Sequence, residues 1–140
     1  MCCLAGGAWF GFSKYNKSVV ALEFYSLVDH SNQNVLDLRQ MHSVDWDELI
    51  VWTPYANMCD YGILEYEKGS VSCASSTDDG ECYLLFLKNN RLSAKVEINR
   101  KKIDLASSGI KGRVAKEKAK FIYTSKGDWP KVLIQNLKLP

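Results

Sequence analysis

The chain has 140 residues, of which 46% are hydrophobic, 11% aromatic and 24% charged. This length suits one domain with a substantial apolar core, and the composition excludes a disordered or low-complexity chain. The net charge of +2 is too small to imply a polyanionic partner by itself.

Charge is distributed unevenly along the chain. Residues 1–82 carry 4 basic and 12 acidic side chains, whereas residues 83–140 carry 14 basic and 4 acidic ones. Such asymmetry can mark a basic interaction face. Because one domain of this size brings its halves into contact, we favour the interpretation that their charges intermix on a common surface.

The N-terminal stretch MCCLAGGAWFGF is apolar, and the first basic residue, Lys14, comes after it. It is too short to cross a bilayer, which needs about 20 apolar residues. It has the length of a signal-peptide apolar region but lacks the basic segment that precedes one. We interpret residues 1–17 as the remnant of an export signal or anchor, with a short core strand or helix as the alternative, and residues 18–140 as the folded domain.

Two ambiguous elements come next. SVVALEFYSLV (18–28) is apolar on nearly every side, so its periodicity does not separate a strand from a helix. VLDLRQM (35–41) suits either a helical turn or an edge strand.

ELIVWT (48–53) predicts a strand. Leu49 and Val51 alternate with Ile50 and Trp52, and bulky side chains in both sets predict that both faces are covered. Pro54 lacks an N–H group and ends the ladder. A short helix is predicted within residues 55–69.

The remaining pattern predicts β-structure. Asn89 and Asn90 lie between two apolar runs and tolerate positive φ, which predicts a two-residue hairpin turn. After it, an apolar set alternates with polar residues and predicts one buried face, namely Leu92, Ala94, Val96 and Ile98. Two further strands, at 119–124 and 131–137, are predicted on either side of a second polar turn. The sequence therefore predicts a single α+β domain, an antiparallel β-sheet with one or two short helices.

The five cysteines match no Cys-x-x-Cys spacing, and two histidines supply few further ligands, so no metal or other cofactor is predicted. Cys73 and Cys82 bracket a polar loop. If the flanks form a hairpin, a disulfide between them would contribute about 2–3 kcal/mol. In a reducing compartment all five would be thiols.

Three segments in order, VLDLRQ, DWDELIVWTPY and CYLLFLKNNRLSAKVEI, resemble a broad group of small, functionally uncharacterised bacterial envelope proteins and lipoproteins. The resemblance covers about residues 35–98. It implies an exported single domain on an N-terminal anchor, and it supplies no catalytic residue. This chain departs from the group at the N-terminus and in the Cys-bearing segment after Pro54-Tyr55.

Asp45, Asp47 and Glu48 are the candidates for catalysis, because paired carboxylates can divide acid and base roles. Asp at a strand entrance more often caps a turn or accepts backbone N–H bonds, so the structural interpretation is favoured. No nucleophile motif or phosphate-binding glycine loop is present.

The segment 111–120 is the candidate for binding nucleic acid. Its cations could neutralise phosphates, and nearby aromatic residues such as Phe121 and Trp129 could stack on bases. A solvated, aggregation-resistant face is the favoured alternative, and nucleic acid is not an expected partner. The candidate binding residues are Tyr55, Lys111, Arg113, Lys116, Lys118, Lys120 and Trp129.

The sequence thus favours a non-enzymatic, envelope-associated bacterial module that binds or interacts with a ligand of unknown identity. A protein is one candidate partner, and a membrane contacted through the N-terminus is another. An immunity-type inhibitor of a secreted toxin is the first alternative. A hydrolase-like enzyme using the acids near Trp46 is the second. The alternative location is the cytoplasm.

Overall fold

The computed structural model of the protein describes residues 19–31, 35–54, 56, 61, 82–110, 112–124 and 131–133. Within them the chain forms one α-helix and two antiparallel sheets. This arrangement confirms the predicted single α+β domain.

The first ambiguous element is a helix, α1, at 19–29. Val20 and Phe24 are buried, and Leu27 and Val28 are half-buried against the same core. These positions recur every three or four residues and define one helical face. On the outer side Leu22 is 71% exposed.

A small sheet contains β1 (Val35–Asp37), β6 (Lys120–Thr124) and β7 (Lys131–Leu133), in the order β1-β6-β7. Residues 35–41 satisfy both predicted alternatives, because an edge strand is followed at once by a 3-10 turn, Leu38–Gln40. Asp37 caps this turn by accepting a bond from the backbone N–H of Arg39. The predicted pairing of the last two strands is confirmed for β6 and β7.

The larger sheet has the order β4-β3-β2-β5. Its strands are β2 (Glu48–Trp52), β3 (Tyr83–Lys88), β4 (Arg91–Glu97) and β5 (Arg113–Ala115). Leu49 and Val51 belong to the main core beneath α1, whereas Ile50 and Trp52 form a second cluster on the opposite face. The predicted doubly covered strand is confirmed, and it ends just before Thr53 and Pro54.

Asn89 and Asn90 adopt φ values of 49° and 65°, and they connect β3 to β4 as the two-residue turn that was predicted. Positive φ at both central positions is the type I′ geometry that matches strand twist.

The prediction for Leu92 is wrong. A bulge between the Phe86 and Leu87 positions shifts the register, so Leu92 pairs with Leu87 while Ala94 pairs with Phe86. An extra residue, Ser93, reverses the alternation at this point. Leu92 therefore leaves the main-core face and is 40% exposed.

The predicted helix within 55–69 lies outside the described residues apart from Ala56 and Tyr61. Both contact the second cluster. Trp52 Nε1 donates to the Ala56 carbonyl at 2.8 Å.

Candidate functional site

The three predicted carboxylates gather where β2 begins, next to the β3–β4 turn and to β5. Asp45 forms an ion pair with Lys88 at 3.0 Å, and its side chain is 79% exposed. Its carbonyl accepts a bond from Ser93 Oγ at 2.8 Å. Asp45 thus connects the β2 entrance to both strands of the hairpin.

Asp47 connects three segments. Its Oδ2 accepts the backbone N–H of Asn89 at 3.0 Å, which caps the hairpin turn. Its own N–H donates to the Leu87 carbonyl at 2.9 Å, and its carbonyl accepts from the Lys116 N–H at 2.8 Å. The side-chain bond to Asn89 is the turn cap that the structural interpretation of this aspartate expects, and the other two are backbone bonds.

Glu48 faces β5. Its carboxylate accepts from Arg113 Nη1 at 3.0 Å, and Arg113 Nε donates to the Tyr61 carbonyl at 3.0 Å. The pair is partly buried, since the two side chains are 36% and 25% exposed. It joins β2 and β5 to a residue of the segment after Pro54.

Each carboxylate therefore engages its own cation or backbone N–H group, and within the described ranges none of them is paired with another carboxylate. Division of acid and base roles needs two groups whose environments push their pKa values apart. The geometry instead supports the structural roles, which fix the β2 entrance.

Trp46, between the acids, is a core residue. It is 1% exposed and packs edge-to-face on Phe86 with ring centroids 5.2 Å apart. Lys116 Nζ lies 5.0 Å from the centroid of its ring. The Trp46 Nε1 atom is buried, and none of the described residues accepts a hydrogen bond from it. The tryptophan therefore anchors the acidic segment through apolar packing and a cation–π contact.

The basic side chains of segment 111–120 do not act together, because those that the structure describes have different neighbours. Arg113 faces Glu48, Lys116 lies over Trp46, and Lys120 sits opposite Asp37 in the β1–β6 register. Lys118 is exposed. The proposed stacking role of Phe121 is wrong, because this ring is 2% exposed and lies in the core. The candidates Tyr55, Lys111 and Trp129 lie outside the described residues.

Two of these ion pairs connect the acidic half of the chain to the basic half, namely Asp45–Lys88 and Glu48–Arg113. The uneven distribution along the sequence is thus partly compensated in space. This supports the favoured interpretation of the charge asymmetry.

Cys82 has no disulfide partner among the described residues and is fully buried. Burial raises its pKa to about 12. The ion pair of Arg100 with buried Asp104, at 3.1 Å, lies in its electrostatic environment. Cys73 lies outside the described residues, so a bridge between the two is not part of the described structure and stays a prediction.

Two polar residues of α1 that the sequence did not single out fix the helix to the rest of the domain. Glu23 accepts the backbone N–H groups of His42 and Ser43 at 2.8 and 2.9 Å, and also the Ser43 hydroxyl. The Tyr25 hydroxyl donates to the Glu97 carbonyl and accepts from the Asn99 N–H, each at 2.8 Å. No local pattern marks these residues, because their partners are distant in sequence.

In the part of the chain that the structure describes, no cluster of His, Cys, Asp and Glu side chains could hold a metal ion. Over the same residues, no helix is both long and apolar enough to cross a membrane. No protein-family model matches the sequence, and comparisons with curated proteins and with solved structures gave no significant match.

Proposed function

We propose that the chain is a non-enzymatic interaction module of the bacterial cell envelope, and that it binds a protein partner with the tip of its β3–β4 hairpin. The hairpin tip is residues 88–92. The observation that carries this proposal is the bulge in β4, which places Leu92 on the surface next to exposed Arg91. Bulges often re-aim a side chain towards a functional surface.

Contacts from the β2 entrance brace the hairpin tip. Asp47 caps the Asn89 N–H, and both asparagines have the backbone geometry of a tight turn. Lys88 and Arg91 are directly opposite each other, and Asp45 offsets this like-charge pair through its contact with Lys88. A preorganised surface loses little conformational entropy on binding.

The chemistry of the hairpin tip suits a protein surface. An exposed leucine supplies apolar area for the centre of a contact, and guanidinium groups are enriched among residues that dominate binding energy. The roles of Asp45 and Asp47 also support a module without catalysis, since both help to build the hairpin tip.

The envelope location is supported by the sequence alone, through the apolar N-terminal stretch and the resemblance to envelope proteins. The immunity-type inhibitor would use the same hairpin tip, and the identity of the partner separates it from the leading proposal. A hydrolase has less support, because the three carboxylates near Trp46 have structural partners.

The test is affinity capture from bacterial envelope fractions with the full chain, quantified by mass spectrometry. Leu92→Asp would bury an unpaired charge in the contact and Arg91→Glu would reverse one, so each should reduce capture of a specific partner by about tenfold. Lys118→Glu is the matched control, because it reverses an exposed cation that lies outside both the hairpin tip and α1. Circular dichroism should show that all three variants fold.

A partner captured equally by the wild type and the Leu92→Asp variant would overturn the proposal, as would the absence of any specific partner. Capture of an enzyme that the chain inhibits would establish the immunity-type alternative. A hydrolytic activity that is lost in Asp47→Asn at unchanged stability would establish the enzymatic one.

A further inference from the structure

A second surface, distinct from the hairpin tip, lies on the outer side of α1. Leu22 is 71% exposed, the most exposed large hydrophobic side chain among the described residues. Tyr25 follows it by three residues, so the two side chains are neighbours on one helical face. An isolated leucine on a surface is common, but this one has basic neighbours.

The basic neighbours come from the turn after β4. Lys102 Nζ lies 5.3 Å from the centroid of the Tyr25 ring, and Lys101 and Lys102 are both exposed. Asn99 holds this turn, since its N–H donates to the Tyr25 hydroxyl and its Oδ1 accepts the Lys101 N–H at 3.0 Å. Lys102 therefore lies beside the helix, and Lys101 precedes it in the same turn.

We propose that Leu22, Tyr25, Lys101 and Lys102, here called the α1 surface, bind the anionic headgroups of a lipid membrane. A leucine can enter the boundary between headgroups and acyl chains, tyrosine is favoured at that depth, and lysines attract anionic lipids. The α1 surface combines all three on a rigid support.

Acidic groups at the edges of the α1 surface limit how α1 can be oriented on an anionic membrane. Burial, and to a smaller extent the Glu97 carboxylate, raises the pKa of Tyr25, so Glu97 is within electrostatic range of the α1 surface. Asp29 is exposed two helical turns beyond Leu22, about 10 Å along the axis. The membrane contact is therefore made by the first part of α1.

The sequence before α1 adds a second argument. Six residues, among them Lys14 and Lys17, separate the apolar stretch 1–12 from residue 19. Even fully extended, such a connection spans only about 25 Å. A membrane that took up the apolar stretch would therefore hold the α1 surface close to its headgroups. Stable attachment commonly needs two signals, and an apolar segment with a basic surface supplies both.

The test is co-sedimentation of the full chain with phosphatidylcholine vesicles, with and without phosphatidylglycerol. Binding should require phosphatidylglycerol and should weaken as salt is added. Each lysine near an anionic surface changes the partition coefficient about fivefold, so Lys101→Gln with Lys102→Gln should lower it about 25-fold. Leu22→Ser should also lower it, without loss of folding.

The matched control is Lys118→Gln, which removes an exposed lysine from another part of the domain. It should leave binding unchanged within about twofold. The proposal is overturned if Lys118→Gln weakens binding as much as Lys101→Gln, if the double variant binds like the wild type, or if the wild type does not bind. Leu92→Asp should bind vesicles normally, so failure here is distinguishable from failure of the hairpin-tip proposal.

Discussion

The attachment of α1 through Glu23 gives the sharpest stability prediction. Replacing Glu23 by alanine removes an acceptor of two backbone N–H groups and one hydroxyl. Hydrogen bonds to a charged group contribute about 1.5–3 kcal/mol each in buried settings. Because His42 is exposed and water can replace part of this network, we expect a total loss of about 2 kcal/mol.

Urea denaturation measures this loss. For a small protein the slope is about 1–3 kcal/mol per molar urea, so the Glu23→Ala midpoint should fall by about 1 M at unchanged slope. Glu23→Gln keeps an acceptor oxygen without the charge and should lose about half as much. Asp29→Ala is the control, because it removes an exposed acid near the C-terminal end of the same helix, where a negative charge is unfavourable.

The same network sets a pH dependence. Burial alone would raise the pKa of Glu23, but the bonds from Ser43 and His42 outweigh it, and the pKa lies below its ordinary value of 4.5. The contribution of Glu23 to stability is therefore fully present above pH 4.5 and is lost as the pH falls below it. A Glu23→Ala midpoint equal to that of Asp29→Ala would refute the reasoning, as would an acid-induced loss of stability identical in Glu23→Gln and the wild type.

Three further predictions concern single side chains. Native Cys82 should resist iodoacetamide and react only after denaturation, because it is buried with a pKa raised to about 12; rapid native alkylation in mass mapping would contradict this. Tyr25→Phe should lower the free energy of unfolding by about 1–2 kcal/mol in urea, since it removes a hydroxyl with two backbone partners. Asn90→Val should cost about 1–3 kcal/mol while Asn90→Gly costs less, because residue 90 has a φ of 65°; equal effects would argue against a left-handed turn.

The elements that the sequence predicts well depend on local chemistry. β2 is recognisable because Ile50 and Trp52 on one face are as bulky as Leu49 and Val51 on the other. Bulky apolar side chains on both faces are typical of a strand that is covered on both sides. The turn is recognisable because Asn89 and Asn90 tolerate positive φ. By contrast, α1 contains valine, phenylalanine and tyrosine, so local propensity leaves it undecided. Its helical state agrees with tertiary contacts such as that of Glu23 with Ser43.

The features that could not be predicted from the sequence depend on contacts between residues that are far apart along the chain. The bulge that exposes Leu92 includes Ser93, whose hydroxyl bonds the Asp45 carbonyl 48 residues earlier. Glu48 accepts a bond from Arg113, which lies 65 residues later in the chain. The local sequence around Glu48 therefore does not show whether it forms an ion pair or acts as a catalytic acid. The alternating pattern after residue 91 predicts a regular strand, and a single inserted residue is enough to reverse it.

The order of strands also has a consequence for how the chain folds. β2 receives its second neighbour only when β5 is available, and β1 pairs with β6, where Leu36 lies opposite Phe121. Such non-local pairings slow folding to milliseconds or seconds. During synthesis, the apolar strands β2 and β3 therefore emerge well before either sheet can be completed. Until residues 113–115 and 120–124 have been made, β2 lacks its β5 neighbour and β1 lacks its β6 neighbour.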